Sequence, residues 1–348
     1  MSAPDGHGLY TCTLGLDGSA TAWVDSTRQM LCREVSHHYE HNHLPASLKA
    51  SATSGKLLRP MLMLAVCDMC GGELEAVLPA AAALELCHVG SLIHDDIIDR
   101  DELRRGRPTL HTVVGAEQAI VVADSLFFTS FAWGDAATAR GAADGAVARA
   151  LSVMSHDFTA MCRGELLQGE LCRSGRETLD DYRRMIALKT GALFACSASC
   201  GAVLSGADEQ TIARFRILGS RIGELLQYLD DLLLFSPEDA PDGKNKTSDI
   251  LNGRITLPYL IAVESLPPDV VSELRTQRAL AASGAPVDAG TVYSLLDNPT
   301  VRSRAVDLVA DMAKSCHEIL ETAPRTAGWS FTQNLVSTLM ESSVAYAQ

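Results

Sequence analysis

A chain of 348 residues with 47% hydrophobic and 21% charged side chains can bury a large core, which excludes intrinsic disorder. Its net charge of −14 argues against general binding to nucleic acid or to an anionic membrane surface, so an anionic ligand must be held by local basic residues. No charge-free run of about 18 residues is present, since Asp124 interrupts the run after Ala119 and Glu85 and His88 interrupt the one after Val77. No transmembrane segment is therefore expected; residues 1–25 show no signal-peptide pattern, and a cytoplasmic location is expected.

In chain order, residues 1–25 are rich in Gly, Ser and Thr and read as a flexible N-terminal segment. From Ser26 onward the periodicity is helical and β-branched alternation is nearly absent, which predicts one all-α domain of ten or more helices over 26–348. His37, His38, His41 and His43 read as an exposed polar helix end. Cys67-x-x-Cys70 lacks the second pair a zinc site needs, and the ten cysteines read as reduced, buried small hydrophobes. Pro79 suits the first turn of a helix that runs to Asp99. Breaks are expected at Gly71-Gly72, Arg104 to Pro108, Gly141 to Gly145, Ser174-Gly175, Ser205-Gly206, Pro237 to Gly243, Pro267-Pro268 and Gly284 to Pro286.

Two acidic clusters stand out inside apolar helical stretches. Asp95-Asp96-Ile97-Ile98-Asp99 precedes Arg104-Arg105-Gly106, and Asp230-Asp231 follows Gln227. Paired carboxylates are costly in such surroundings unless something neutralises them. On a helix Asp95 and Asp99 project from one face about 6 Å apart. Mg²⁺ binds through one or two such carboxylates while substrate phosphates supply further ligands, so the pattern reads as a metal-bridged diphosphate site.

The ordered motifs extend this reading. Gly55-Lys56-Leu57-Leu58-Arg59-Pro60 comes first, then His88, the first acidic cluster, and Arg104-Arg105-Gly106-Arg107-Pro108-Thr109. After these come Gly164-Glu165-Leu166-Leu167-Gln168, Lys189-Thr190-Gly191, Gln227-Tyr228-Leu229-Asp230-Asp231, Gly243-Lys244 and Gly253-Arg254-Ile255-Thr256-Leu257-Pro258. From Gly55 to Pro258 the set closely resembles the trans-isoprenyl diphosphate synthases. The resemblance implies a large orthogonal helical bundle around a central cavity, of the isoprenoid synthase type. It implies condensation of an allylic prenyl diphosphate with isopentenyl diphosphate in a homodimer. It assigns the acceptor diphosphate to Lys56, Arg59, His88 and Arg105, and the donor diphosphate to Arg104, Lys189, Thr190, Gln227 and Lys244. Asp95, Asp99 and Asp230 would carry Mg²⁺, three ions in all, with Asp96 and Asp231 in support.

One departure is visible. Leu234 stands at i+4 from Asp230, where the fuller family pattern has a third aspartate, and its loss reads as tolerated. Two other readings compete: a class I terpene cyclase on the same fold, which has no need of a second cationic pocket, and a weakly active partner subunit of a heterodimer, which would be expected to lose its first aspartate cluster too. For product length, Ser91, Gly90 and Cys87 lie one and two turns below Asp95 and are all small, which points to a geranylgeranyl or longer product. Phe127, Phe128 and Phe131 on the following helix are candidates for the cavity floor.

Overall fold

The computed structural model describes residues 16–41, 55–104, 106–236 and 247–347. These residues fold into sixteen α-helices, and their only strands are two two-residue segments. Helix α1 (Gly18–His41) begins earlier than Ser26 because Asp17 Oδ1 accepts the backbone N–H groups of Ser19 at 2.9 Å and Ala20 at 2.8 Å, an N-terminal cap. The expected flexible segment is thus corrected at 18–25. After α2 (Leu58–Met69), helix α3 (Leu74–Asp99) carries Pro79 in its interior rather than in its first turn. The broken backbone bond that proline imposes is tolerated because almost every side chain from Ala76 to Cys87 is buried, and packing outweighs propensity.

The basic turn forms a small hairpin, β1 (Leu103–Arg104) paired with β2 (Arg107–Pro108), with Gly106 at φ +69°. Then follow α4 (Leu110–Val114), α5 (Ala116–Thr129), α6 (Gly134–Ala139) and α7 (Asp144–Ser174). Helix α8 (Leu179–Ile186) runs through a π-helical turn, Ala187–Gly191, into α9 (Ala192–Leu204). Every residue of α9 is buried, and it packs against α2, α7 and α10 (Glu209–Leu232) at the centre of the molecule. A 3₁₀ turn, Leu233–Phe235, ends that helix. The C-terminal part comprises α11 (Ser248–Leu251), α12 (Leu257–Ser265), α13 (Pro268–Ala282), α14 (Ala289–Leu296), α15 (Pro299–Glu321) and α16 (Ala327–Ala347). Helices α15 and α16 pack on each other and on α10, and α16 also covers α1 and α2.

Three helical stretches are long and apolar enough, by length and composition, to cross a membrane: Leu74–Asp99, Ala116–Ala139 and Leu179–Leu204. Scattered charges therefore do not exclude a spanning segment as the sequence suggested. Burial separates the three, since 83% of the first apolar window and 78% of the third lie inside the protein. These two are core helices. Only 28% of the window in Ala116–Ala139 is buried. No disulfide joins the described cysteines; most are buried or half-buried, but Cys162 is exposed, against expectation. His37 is exposed and His38 is half-buried, 4.0 Å from Glu34, while His43 and the His41 side chain lie outside what is described.

Candidate active site

The last turns of α3 and α10 bring the two acidic clusters to one cleft of roughly 260 Å³. Asp95, Asp99, Asp230 and Asp231 line it together with Lys56, Arg59, His88, Arg104, Lys189, Thr190 and Gln227. Residues drawn from six separate sequence motifs thus converge on one place. Arg105 and Lys244 lie outside the described residues.

Each aspartate of the first cluster is answered by a cation from a different element. Lys189 Nζ lies 4.0 Å from Asp95 and makes a closer ion pair with Glu165 of α7. Arg104 Nε donates to Asp96 at 2.6 Å across the hairpin. Arg254, just ahead of α12, pairs with Asp99 and donates to Asp249 at 2.9 Å. Burial opposes the charge on Arg254, but Asp249 and Asp99 hold its guanidinium above its ordinary range. Asp96 is itself 5% exposed, and burial pushes its carboxyl up to about 6 despite the Arg104 partner.

The second cluster divides its work. Both line the cleft, but Asp231 is only 5% exposed and its carboxylate is engaged by the protein. It accepts hydrogen bonds from Tyr182 Oη at 2.7 Å, from the Leu257 backbone N–H at 2.7 Å and from Gln227 Nε2 at 3.0 Å. Burial and the nearby Asp249 push its carboxyl up to about 7, against those three donors. These bonds give the carboxylate expected in support of the metal site a structural duty as well. Asp231 pins the start of α12 to α10 and fixes Gln227, whose Oε1 accepts from Thr190 Oγ1 at 2.9 Å. Leu234, expected on the Asp230 face, is 8% exposed within the 3₁₀ turn and belongs to the core.

Lys189 and Thr190 are presented by the π-helical turn, a distortion that occurs often at functional sites. Gly164 of α7 makes this possible, because a Cβ there would lie 2.3 Å from the Lys189 backbone nitrogen. On the opposite wall, Arg59 is half-buried, stacks 4.6 Å from the centre of the Phe194 ring and donates to His88 Nε2 at 2.9 Å. His88 Nε2 therefore acts as an acceptor. Burial draws the Arg59 guanidinium down to about 10, opposed most by Glu85, which also lines the cleft.

A second cavity, about 630 Å³ and largely apolar, opens from the same residues: Arg59, His88, Asp95, Lys189 and Thr190 line both spaces. Of the three expected length-setting positions only Ser91 lines it. Gly90 faces α5 instead, where a Cβ would meet Ala123 O at 3.1 Å, and Cys87 is fully buried. Phe127 and Phe131 do line the cavity, joined by Phe158 of α7, whose ring stands edge-on to Phe131 at 5.6 Å; Phe128 is exposed on the outside.

Sequence reasoning assigned no role to Arg254, Asp249, Glu165 or Tyr182. Arg254 lay inside a quoted motif, and its position between Thr256-Leu257-Pro258 and a glycine was the available signal. Glu165 likewise lay inside the motif Gly164 to Gln168, whereas the charge of Asp249 alone gave no signal. No three-ligand His, Cys, Asp or Glu cluster capable of holding a metal is present among the described residues. The donor set still fits Mg²⁺, since Asp95, Asp99 and Asp230 offer hard carboxylate oxygens at the cleft and this ion takes its remaining ligands from phosphate and water.

A family model described as polyprenyl synthetase matches residues 41–283. The chain belongs to this family. It is a trans-isoprenyl diphosphate synthase, a prenyltransferase. Among similar members, the geranylgeranyl diphosphate synthase of Mycobacterium tuberculosis is 34% identical over 243 residues, 70% of this chain and 68% of its own. The heptaprenyl diphosphate synthase component 2 of Geobacillus stearothermophilus is 33% identical over 251 residues, 72% of this chain and 73% of its own. The crystal structure of geranylgeranyl pyrophosphate synthetase from Pyrococcus horikoshii superimposes with a TM-score of 0.78 at 27% identity, covering 92% of this chain and 97% of that one. This likeness establishes the isoprenoid synthase fold for the all-α bundle.

Proposed function

We propose that this prenyltransferase joins an allylic prenyl diphosphate to isopentenyl diphosphate and releases geranylgeranyl diphosphate or a longer product. The observation that carries this reading is the shared wall of the two cavities. A charged cleft suited to diphosphates meets an apolar cavity suited to a prenyl chain at Asp95, Lys189 and Thr190. An amphipathic donor laid across that boundary has its C1–O bond at the junction.

Lys189, Thr190, Gln227, Arg104 and Arg254 surround the donor diphosphate, and Lys56, Arg59 and His88 hold that of the acceptor; Arg105 and Lys244 join these two groups respectively as acceptor and donor residues. Asp95, Asp99 and Asp230 would hold Mg²⁺, three ions in all, which when bound would neutralise charge on the departing diphosphate. The cationic side chains stabilise the same developing charge, and the apolar cavity shields the allylic cation from water. The C1–O bond breaks, the acceptor's double bond attacks C1, and a proton leaves the acceptor for the released diphosphate. The acceptor's own diphosphate must stay attached, and side-chain cations suffice to hold it.

The two alternatives are less well supported. The cationic Lys56 and Arg59 line the cleft with His88 for a second diphosphate that a cyclase would not need, and the first aspartate cluster, which a weakly active partner subunit would be expected to lose, is intact. A cytoplasmic homodimer completes the proposal. Its support is the apolar outer face of α5, where Val121 is 67% and Phe128 77% exposed. The deciding experiment incubates purified protein with isopentenyl diphosphate, Mg²⁺ and each of dimethylallyl, geranyl and farnesyl diphosphates. A prenyl diphosphate of C20 or longer is the expected product, and no isopentenyl diphosphate incorporation with any primer overturns the reading.

A further inference from the structure

The entry to α2 is strained at the point where it serves the site. Leu57, between Lys56 and Leu58, has φ +53° and ψ 26°, a left-handed conformation that a leucine adopts only when its surroundings impose it. A helix N-cap normally has extended backbone and a side chain that caps the first N–H groups; this one has neither. The strained residue redirects the chain so that Lys56 and Arg59, on either side of it, line the same cleft. Something must hold the turn.

Arg28 is that holder. It projects from α1, and its Nη2 donates to Gly55 O at 2.8 Å while its Nη1 donates to Lys56 O at 3.3 Å. Both carbonyls sit immediately before Leu57. The two parallel donors of a planar guanidinium fix two successive peptide planes, which a single ammonium cannot do. Helix α1 gives the fork a rigid base, because Val24, Thr27, Leu31 and Val35 are buried beneath it against α3 and α16. The Leu57 side chain, 3% exposed in the core, anchors the other side of the turn, and its carbonyl accepts the first helical bond from Met61 N at 3.0 Å.

We propose that Arg28 is a positioning residue for the acceptor's diphosphate, clamping Gly55 and Lys56 so that Leu57 keeps its left-handed backbone and Lys56 and Arg59 face one anion. This rests on the assignment of Lys56 and Arg59 to isopentenyl diphosphate. Arg28 touches neither substrate, so its loss is felt in acceptor binding and not in ionisation of the donor.

The test compares full-length wild type, Arg28→Ala and Arg28→Lys. Arg28→Ala is expected to raise KM for isopentenyl diphosphate about tenfold, the scale of one hydrogen bond from a charged donor, with kcat and the donor KM within about twofold. Arg28→Lys, which supplies one donor where two are needed, is expected to fall between. Hydrogen–deuterium exchange in substrate-free protein reads the clamp directly: amides from Lys56 to Met61 should exchange faster in Arg28→Ala. A general packing role would instead lower the melting temperature and shift both KM values together, and that result overturns the inference, as does unchanged exchange with an unchanged acceptor KM. If wild type itself fails to incorporate isopentenyl diphosphate, the functional reading falls and the acceptor role with it; exchange that quickens in Arg28→Ala would still establish the clamp.

Discussion

Asp95 and Asp99 are paired with Lys189 and Arg254, cations that line the same cleft. Removing one carboxylate leaves a surplus cation and one metal ligand fewer. Asp95→Ala or Asp99→Ala is expected to lower kcat by at least about 10²-fold, the scale of losing one key electrostatic group; near-normal turnover in steady-state assays would remove these residues from the metal site. The two anion pockets should separate kinetically. Arg59→Ala is expected to raise KM for isopentenyl diphosphate because its charge binds a group that does not react, whereas Lys189→Ala lowers kcat because its charge assists departure. An acceptor KM unmoved in Arg59→Ala would dissolve the distinction between the pockets. That these residues meet at one cleft was readable from residue type and order alone. The different duties of Asp230 and Asp231 were not, since neighbours on a helix point about 100° apart and only the packing of α12 decides which one is buried.

At the scale of elements, the end of α10 explains why a missing aspartate is no simple vacancy. The α-helix stops at Leu232, and Leu234 turns into the core. The i+4 argument assumed that the helix continued, which the sequence Leu232-Leu233-Leu234-Phe235 gave no reason to doubt. Leu234→Asp is therefore expected to destabilise the fold on the order of several kcal/mol by burying a carboxylate, seen as a lower melting temperature accompanied by lost activity. Unchanged melting with raised activity would instead favour a carboxylate that reaches the metal site. Another element-scale prediction concerns Glu177, in the link between α7 and α8, which accepts from Tyr259 Oη at 2.6 Å, Arg275 Nε at 2.8 Å and Arg278 Nε at 3.1 Å. Burial works against its charge, but Tyr259 and the two arginines win, and its carboxyl is held below the ordinary value. A depressed carboxylate stabilises the native state above its unfolded pKa of about 4.3 and loses that contribution as pH falls below it. Glu177→Gln is expected to lower the melting temperature at pH 7 and to flatten its decline between about pH 5 and pH 3; parallel curves for variant and wild type would show that the cluster carries no linkage.

At the scale of the whole molecule, the helical architecture followed from periodicity and breaker residues, and the convergence of the motifs on one cleft from their order. The cavity was expected, but its lining was only partly legible, because its walls come from α3, α5, α7 and α9, whose mutual rotation is set by contacts far apart in sequence. Counting back along α3 from Asp95 placed Cys87, Gly90 and Ser91 on one wall. Only Ser91 faces the space, since Gly90 is spent on the close approach of α5. Ser91 lines one side of the cavity and the aromatic rings of Phe127, Phe131 and Phe158 the others, and on the proposed function these four would set product length. Ser91 stands one helical turn, about 5.4 Å, from Asp95, roughly the span of one extended isoprene unit. A ring at that position would cross the cavity close to the reacting carbon, so Ser91→Phe is expected to shorten the product towards C15. Phe131 stands edge-on to Phe158, and truncating either removes a ring from the wall without touching the diphosphate cleft. Phe131→Ala or Phe158→Ala is expected to lengthen the product by at least one isoprene unit while leaving acceptor KM within about twofold. Chromatography of the dephosphorylated products checks both directions. If Ser91→Phe leaves the product distribution as it was, the growing chain does not enter this cavity, and the aromatic wall is ordinary core.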